Sequence, residues 1–411
     1  MTTTSQFNKP PTLLRIPPCL ILRHREGRHK IYNTMQTSLQ ELPPLRIHPA
    51  EPAVDRSWSG DVELLNRDAS VQLWLDQTAF QHSSSPESYD IVHSSGQLLK
   101  TPCESGVLNV FADRKFWHVS GGIITPESIK PEVIHWMKQI AETQKIGIAV
   151  YSVNESELPH YISEGYEYTK FGEEPILDLG DLEWKGKPFE WVRRQTNFCQ
   201  RAGLRVTEIA NHQIDETIAQ EMNEIIDQDL SSRTFTKPLR LLVGEFNSSE
   251  LHRKRLFVVQ AENSNRIEAF LACNPMQNGT QWAFETFRKR NDCPRGAMAF
   301  LFRTVIDQLQ DEGVDRVSLC LVPGRGVEEW NGERTYKLTH TLLKLWYRRM
   351  NFLFNVRGQE HFKARFRPRF ESRYLCVTPH SSLYSVYSFL KTVGALYPNY
   401  YNLACRIMGR S

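Results

Sequence analysis

The chain has 411 residues, 40% of them apolar and 24% charged, with a formal net charge of +3 at pH 7. That length allows two domains of roughly 100–200 residues, and the near-neutral balance excludes binding of polyanions by bulk charge, so any phosphate-rich ligand must meet a local basic patch. No apolar run approaches the ~20 residues of a bilayer-spanning helix. The eight scattered cysteines, with no C-x-x-C pair and no Cys/His cluster, argue against structural zinc and for free thiols in a reducing cytoplasm.

Residues 1–55 hold eight of the 22 prolines and read as a disordered leader, with Met35 as an alternative start. The apolar stretch from Leu13 to Leu22 is broken by Arg15, Pro17 and Pro18, which argues against a signal peptide. From about Val71 the pattern turns α/β. Gly106–Ala112 and Lys115–Ile124 are predicted strands, and Thr125-Pro126 supplies an N-cap and a first-turn proline. The helix that follows carries Ile129, Val133, Trp136, Met137 and Ile140 at helical spacing. Gly147–Val153 is a predicted buried strand, Ser156–Ser163 a short helix and Tyr166–Leu179 a strand pair.

The second half repeats the rhythm. A basic helix, Pro188–Ala202, stops at Gly203, and Gln213–Asp229 is a second helix. Strands over Arg255–Ala261, Arg266–Pro275 and Gln281–Arg288 follow. A turn with Pro294 and Gly296 opens a helix bearing Met298, Leu301, Phe302, Val305 and Leu309. Arg316–Val322 reads as a buried strand, and Leu338, Leu342, Leu345, Trp346 and Met350 mark another amphipathic helix. The expected fold is therefore mixed α/β: a first unit (56–180) and a second unit (181–378), each a mixed sheet flanked by helices, and an aromatic tail (379–411). The tail is expected to pack on the domain, with a lipid interface as the other option.

Between Glu333 and Arg373 there are eleven Lys/Arg against three Glu. Lys363, Arg365, Arg367, Arg369 and Arg373 alternate there with Phe362, Phe366, Phe370 and Tyr374, a charge density that suits phosphate. Lys185, Lys187, Arg193, Arg194 and Arg201 form a second basic cluster. Glu285 and Arg288 stand three apart at a predicted strand end, where a carboxylate and a guanidinium can hold a zwitterion. A glycine such as Gly296 at a helix start can bind phosphate through backbone N–H groups. The turn before it has Cys293 where a CoA-dependent acyltransferase carries Gln or Arg.

Together these segments, from about Val71 to Val377, resemble the C-terminal region of the phosphatidylglycerol lysyltransferase family. Gly172-Glu173-Glu174 with Ile176-Leu177-Asp178-Leu179 resembles its inter-domain strand. Lys185-Gly186-Lys187, Arg193-Arg194, Asn197 and Gly203 resemble its basic helix. Glu285–Arg288 falls where the family has Asp-x-x-Arg, and Gly296–Phe302 resembles its Gly-x-Met-Asp-Phe-Leu-Phe helix start. Lys363, Phe366, Pro368 and Arg373-Tyr374-Leu375 match its terminal signature. Glu285 for Asp and Ala299 for the helix acid are departures, and the chain is most similar to stand-alone members without the many-helix membrane portion.

The resemblance implies tandem acyltransferase-like (GNAT-like) domains that move an amino acid from aminoacyl-tRNA to a hydroxyl acceptor, a lipid such as phosphatidylglycerol, with no cofactor and no metal. It implies catalytic Glu285, Arg288 and Lys363. Substrate contacts would come from Gly296, Arg365, Arg367, Arg369, Arg373, Lys185, Arg193 and Arg194. Cytoplasmic placement, with peripheral contact at an anionic inner membrane face, is expected. A CoA-dependent N-acyltransferase and a non-catalytic module for RNA or anionic membrane remain open as alternatives.

Overall fold

The computed structural model describes residues 63–408, apart from 66–67, 103, 232, 236–240, 242–246, 331, 333–336 and 351–352. The chain divides into Met1–Ala50 and Glu51–Ser411, and all the described residues belong to the second unit. The leader over 1–55 and Met35 lie outside the described residues.

Helix α1 (Ala69–His82), the short α2 (Ser88–Ile91) and an antiparallel meander of β1 (Gln97–Lys100), β2 (Val107–Asp113) and β3 (Phe116–Ile124) open the first half. Helix α3 (Lys130–Gln144) then crosses over to β4 (Gly147–Asn154), parallel to β3, because parallel neighbours cannot be joined by a tight turn. Val133, Ile134, Trp136, Met137 and Ile140 of α3 are buried, each worth ~1.5–3 kcal/mol of transfer free energy. Gly121 of β3 lies at φ +66°, and a Cβ there would meet Ile91 Cδ1 at 2.7 Å. Glycine therefore lets α2 lie directly on β3, where Ser88 Oγ donates to the Gly121 carbonyl at 2.6 Å. Helix α4 (Leu158–Ser163) leads into the long β5 (Glu167–Asp178).

The second half begins with α5 (Glu190–Arg201), β6 (Leu204–Ile209) and α6 (Glu216–Ser231). An antiparallel meander of β6, β7 (Arg255–Ala261), β8 (Ile267–Met276) and β9 (Gln281–Lys289) follows. Helix α7 (Ala297–Asp311) crosses to β10 (Arg316–Ser318), parallel to β9. Then come β11 (Val322–Pro323), α8 (Lys337–Arg349), α9 (Val356–Ala364), β12 (Arg369–Thr378), α10 (Leu383–Thr392) and α11 (Tyr400–Ile407).

The two halves join in one sheet, ordered β1-β2-β3-β4-β12-β5-β10-β9-β8-β7-β6. The last strand of each half is exchanged: β5 pairs with β10 of the second half, β12 pairs with β4 of the first, and β5 and β12 run antiparallel at the centre. Each half thus presents a meander, a helical crossover and a parallel strand, closed by the other half's strand. The mixed α/β sheet flanked by helices matches the sequence expectation.

Several elements differ from that expectation. Tyr166–Leu179 is one strand, not two. The Glu173-Glu174 pair is held inside the sheet, Glu173 by Lys170 and Arg325 and Glu174 by Arg373. The helix after Thr125-Pro126 begins only at Lys130, after a 3-10 turn over Glu127–Ile129. The strand expected over Arg316–Val322 is interrupted at Leu319–Leu321, and the basic run after Gln359 starts as the helix α9 before it becomes β12.

Candidate functional site

Strands β9 and β10 pair from Gln281/Arg316 to Ala283/Ser318 and no further. Beyond that point the chain turns at Cys320, which takes the left-handed φ of +65°, a conformation that costs a non-glycine residue ~1–3 kcal/mol and persists only when its surroundings hold it. Here three bonds hold it. The Cys320 N–H donates to Ser318 Oγ at 3.0 Å, the thiol reaches the Phe284 carbonyl at 3.2 Å, and the Cys320 carbonyl accepts from Lys363 Nζ at 2.9 Å. Lys363, in the last turn of α9, is 2% exposed and also donates to the Leu321 carbonyl at 3.3 Å.

Carboxylates gather around that ammonium. Glu174 of β5 is 1% exposed, accepts from Arg373 Nε of β12 at 2.6 Å and takes the Ser318 hydroxyl on its other oxygen. Arg373 also meets Glu371 at 3.3 Å. Glu285 of β9 accepts from Thr286 Oγ1 at 3.1 Å. Glu87, just before α2, is buried with one carboxyl oxygen that has no hydrogen-bond partner among the described residues. Burial pulls the Lys363 pKa below its ordinary value, while Cys320 and the carboxylates of Glu285, Glu174 and Glu87 oppose that pull. Burial, reinforced by Glu174 and Glu285, pushes the Glu87 carboxyl up to about 7. With Glu87 protonated, Glu174 and Glu285 balance the two cations Lys363 and Arg373, and ionisation of Glu87 leaves a net negative charge that favours an added cation. On one side Glu174 and Arg373 line an open cleft of about 500 Å³, with Arg369, Glu371, Arg316, Asn154 and Glu155.

The Glu87 proton has a measurable consequence. Its pKa is raised from 4.5 to about 7, so the folded state holds the proton more tightly than the unfolded chain. The associated stability is fully present below the unfolded pKa and is lost as pH rises through the folded one, by up to ~3 kcal/mol. Glu87→Gln, which cannot ionise, is expected to raise the urea midpoint over wild type at pH 8 and to change it little at pH 4.5. An equal effect at both pH values would show that Glu87 is not held protonated.

Of the residues singled out from sequence, Glu285, Lys363 and Arg373 fall in this one cluster. Arg288 is adjacent: residues three apart on a strand point to opposite faces, and its guanidinium takes Asp229 Oδ2 of α6 at 2.9 Å and the Phe287 carbonyl at 2.7 Å. It stays in the electrostatic field of Glu285, and burial lowers its pKa. Arg373, expected to meet phosphate, is instead buried against Glu174; burial works against its charge and the two glutamates outweigh that. Arg369 is exposed but engaged with Asp178 at 3.0 Å and with Glu371.

Arg365 lies over the Trp191 ring, 5.5 Å from its centroid, and contacts the exposed His361 at 2.9 Å. Arg367 is exposed at φ +57° beside the Pro188 carbonyl. Across from them, Arg193 donates to the Trp184 and Gly186 carbonyls at 2.7 and 2.8 Å, Lys185 pairs with Glu183 at 2.9 Å, and Arg194 is exposed. Of the aromatics of the run, Phe366 is fully buried among Phe302, Phe362, Trp184 and Trp191, Tyr374 is buried, and Phe362 and Phe370 are half-buried. Gly296 caps α7 at φ +88°, where a Cβ would meet Gln195 Oε1 of α5 at 2.7 Å. The left-handed backbone and the close approach of α5 to α7 account for that glycine.

Glu87, Glu174, Ser318 and Cys320 were not singled out as site residues. Glu174 carried a signal, an acid directly before the apolar Pro175-Ile176-Leu177 run, since a buried charge demands partners. Glu87, in a Ser/Pro-rich loop, carried none.

Residues 88–377 match the family model described as phosphatidylglycerol lysyltransferase, C-terminal. The phosphatidylglycerol lysyltransferase of Bacillus subtilis (strain 168) is 23% identical over 267 residues, which is 64% of this chain and 30% of that protein. The enzyme of the same name from Staphylococcus aureus (strain MRSA252) is 22% identical over 65% of this chain and 31% of its own length. The chain therefore spans about 30% of the length of these relatives. Among solved structures, L-PGS from Bacillus licheniformis superposes with a TM-score of 0.66 at 18% identity, covering 80% of this chain and 97% of that one. A C-terminal DUF2156 domain from Agrobacterium fabrum gives 0.65 at 19% identity, covering 79% and 95%. The chain belongs to the family of phosphatidylglycerol lysyltransferase C-terminal domains.

Proposed function

We propose that this chain transfers an amino acid from aminoacyl-tRNA to a hydroxyl acceptor, a lipid of the phosphatidylglycerol type. The observation that carries the reading is the buried Lys363 ammonium among three carboxylates drawn from both halves of the sheet. One ester replaces another: the acceptor hydroxyl attacks the aminoacyl carbonyl, and the ribose oxygen leaves. Positioning and oxyanion stabilisation can then supply most of the acceleration. Glu285 and Glu174 hold the ammonium of the amino acid, and Lys363 sits where charge develops. Glu87, with a pKa near 7, takes the hydroxyl proton and returns it to the leaving oxygen. Arg365, Arg367, Arg193, Arg194 and Lys185 meet acceptor-end phosphates, so donor affinity falls steeply with salt. Residues 56–180 contribute Glu87 and Glu174 to the site and act otherwise as scaffold; residues 181–378 contribute the rest.

The test is direct. Purified protein, aminoacyl-tRNAs labelled in the amino acid and phosphatidylglycerol are incubated, and the lipid fraction is separated by thin-layer chromatography. A labelled lipid supports the reading; label that remains on tRNA with every donor and acceptor sinks it. Glu285→Gln is expected to cost most with cationic amino acids. Equal losses for all aminoacyl-tRNAs would count against ammonium recognition.

A further inference from the structure

Ten large apolar side chains stand exposed among the described residues, and seven of them lie in the last stretch: Leu383, Tyr384, Tyr387, Tyr397, Tyr400, Tyr401 and Met408. Tyr397, Tyr400 and Tyr401 are 82%, 71% and 77% exposed. This stretch lies beyond Val377, where the match to the family model ends. The expectation that the tail packs on the domain is met on its inner side only. There Ser388 Oγ meets His118 Nε2 at 2.9 Å, Phe389 stacks on Tyr151 at 5.4 Å, and Val393 is buried, contacts made with strands of the first half. Helix α11 is fastened by Asn402, whose side chain donates to the Ser231 and Arg233 carbonyls, both at 2.8 Å. The tail is thus anchored, with its tyrosines turned out.

We propose that α10 and α11 form a docking surface for an anionic phospholipid bilayer. Tyrosine is the side chain that suits such an interface, with an apolar ring and a polar tip. The charge beside it has the matching sign. Arg114 and Lys115, on the β2–β3 hairpin next to Tyr384, are exposed. The one acid of that hairpin tip, Asp113, is held by Lys391 at 3.1 Å and by the Tyr384 hydroxyl at 3.0 Å. The edge therefore keeps positive charge for lipid phosphates. The surface is also coupled to the site. Leu321, whose carbonyl takes the Lys363 ammonium, packs against the same buried cluster as Phe389 and Ala395. This inference deepens the lipid-acceptor reading and rests on it for its purpose, whereas the binding itself is independent of transfer.

The experiment is flotation of the full chain with vesicles of phosphatidylcholine alone and of phosphatidylcholine mixed with phosphatidylglycerol. Wild type is expected to float with the mixed vesicles. The triple variant Tyr397→Ser/Tyr400→Ser/Tyr401→Ser is expected to bind them more weakly by roughly tenfold or more, with an unchanged melting curve because all three rings are exposed. Arg114→Glu/Lys115→Glu is expected to abolish the preference for the anionic mixture. Equal flotation of wild type and triple variant overturns the proposal, as does a wild type that stays in solution. A wild-type dimer in sedimentation that the triple variant dissociates also overturns it, assigning the surface to a second copy of the chain. Transfer assayed in parallel separates the two readings: no lipid product with intact flotation sinks the transferase reading alone, whereas product from detergent-dispersed lipid without flotation sinks only the docking surface.

Discussion

Replacing Lys363 by methionine is expected to abolish the proposed aminoacyl transfer, a loss of roughly 10²–10³-fold or more, in a protein that still unfolds cooperatively. The side chain is 2% exposed and fixed by the Cys320 and Leu321 carbonyls at 2.9 and 3.3 Å. Methionine fills most of the volume, so the stability cost comes mainly from two unpaired carbonyls, at about 1–3 kcal/mol each. Loss of the cation also leaves Glu87, Glu174 and Glu285 with Arg373 alone, and the cluster relaxes by binding a proton. Lys363→Ala should be equally inactive but less stable, because it adds a cavity. Transfer assays and thermal melts on the same samples decide the matter. Unchanged transfer by a folded Lys363 variant would remove α9 from the active site.

Arg373→Ala is expected to be the most destabilising single change near the site, costing about 3–5 kcal/mol, because it strands the buried Glu174 charge. The guanidinium donates to Glu174 at 2.6 Å, with the two side chains 7% and 1% exposed, and it bridges the exchanged strands at the centre of the sheet. A second change, Glu174→Gln, should restore much of the lost stability in the Arg373→Ala background, while costing stability when made alone. Chemical denaturation of the four proteins in the cycle measures the coupling. Independent, additive losses would mean that the pair does not hold the seam.

The two halves differ little in how legible they were. Strands β2, β3, β4, β7, β8 and β9 and helices α3 and α7 stand within a few residues of where apolar periodicity placed them, because their patterning is local and their partners are sequence neighbours. The long β5 was misread because its adjacent Glu173 and Glu174 draw their arginine partners, Arg325 and Arg373, from far along the chain. The site was half legible. Lys363 and Glu285 stood out through charge, spacing and family likeness, and the structure brings them together. Arg373 looked like a phosphate ligand because a string of alternating cations does not say which members point inward.

The amino-acid sequence by itself determined the α/β rhythm, the positions of the helical crossovers and the family to which the chain is related. Each follows from interactions between residues close in the chain or from motif order. Only the tertiary structure decided that β5 and β12 change places. That exchange carries Glu174 and Arg373 to the centre of the sheet, and Gly121 lets α2 bring Glu87 toward the same place. A carboxyl acquires a pKa near neutrality only from the burial and charge that distant strands impose on it. That environment is a property of the assembled sheet, and no window of sequence contains it.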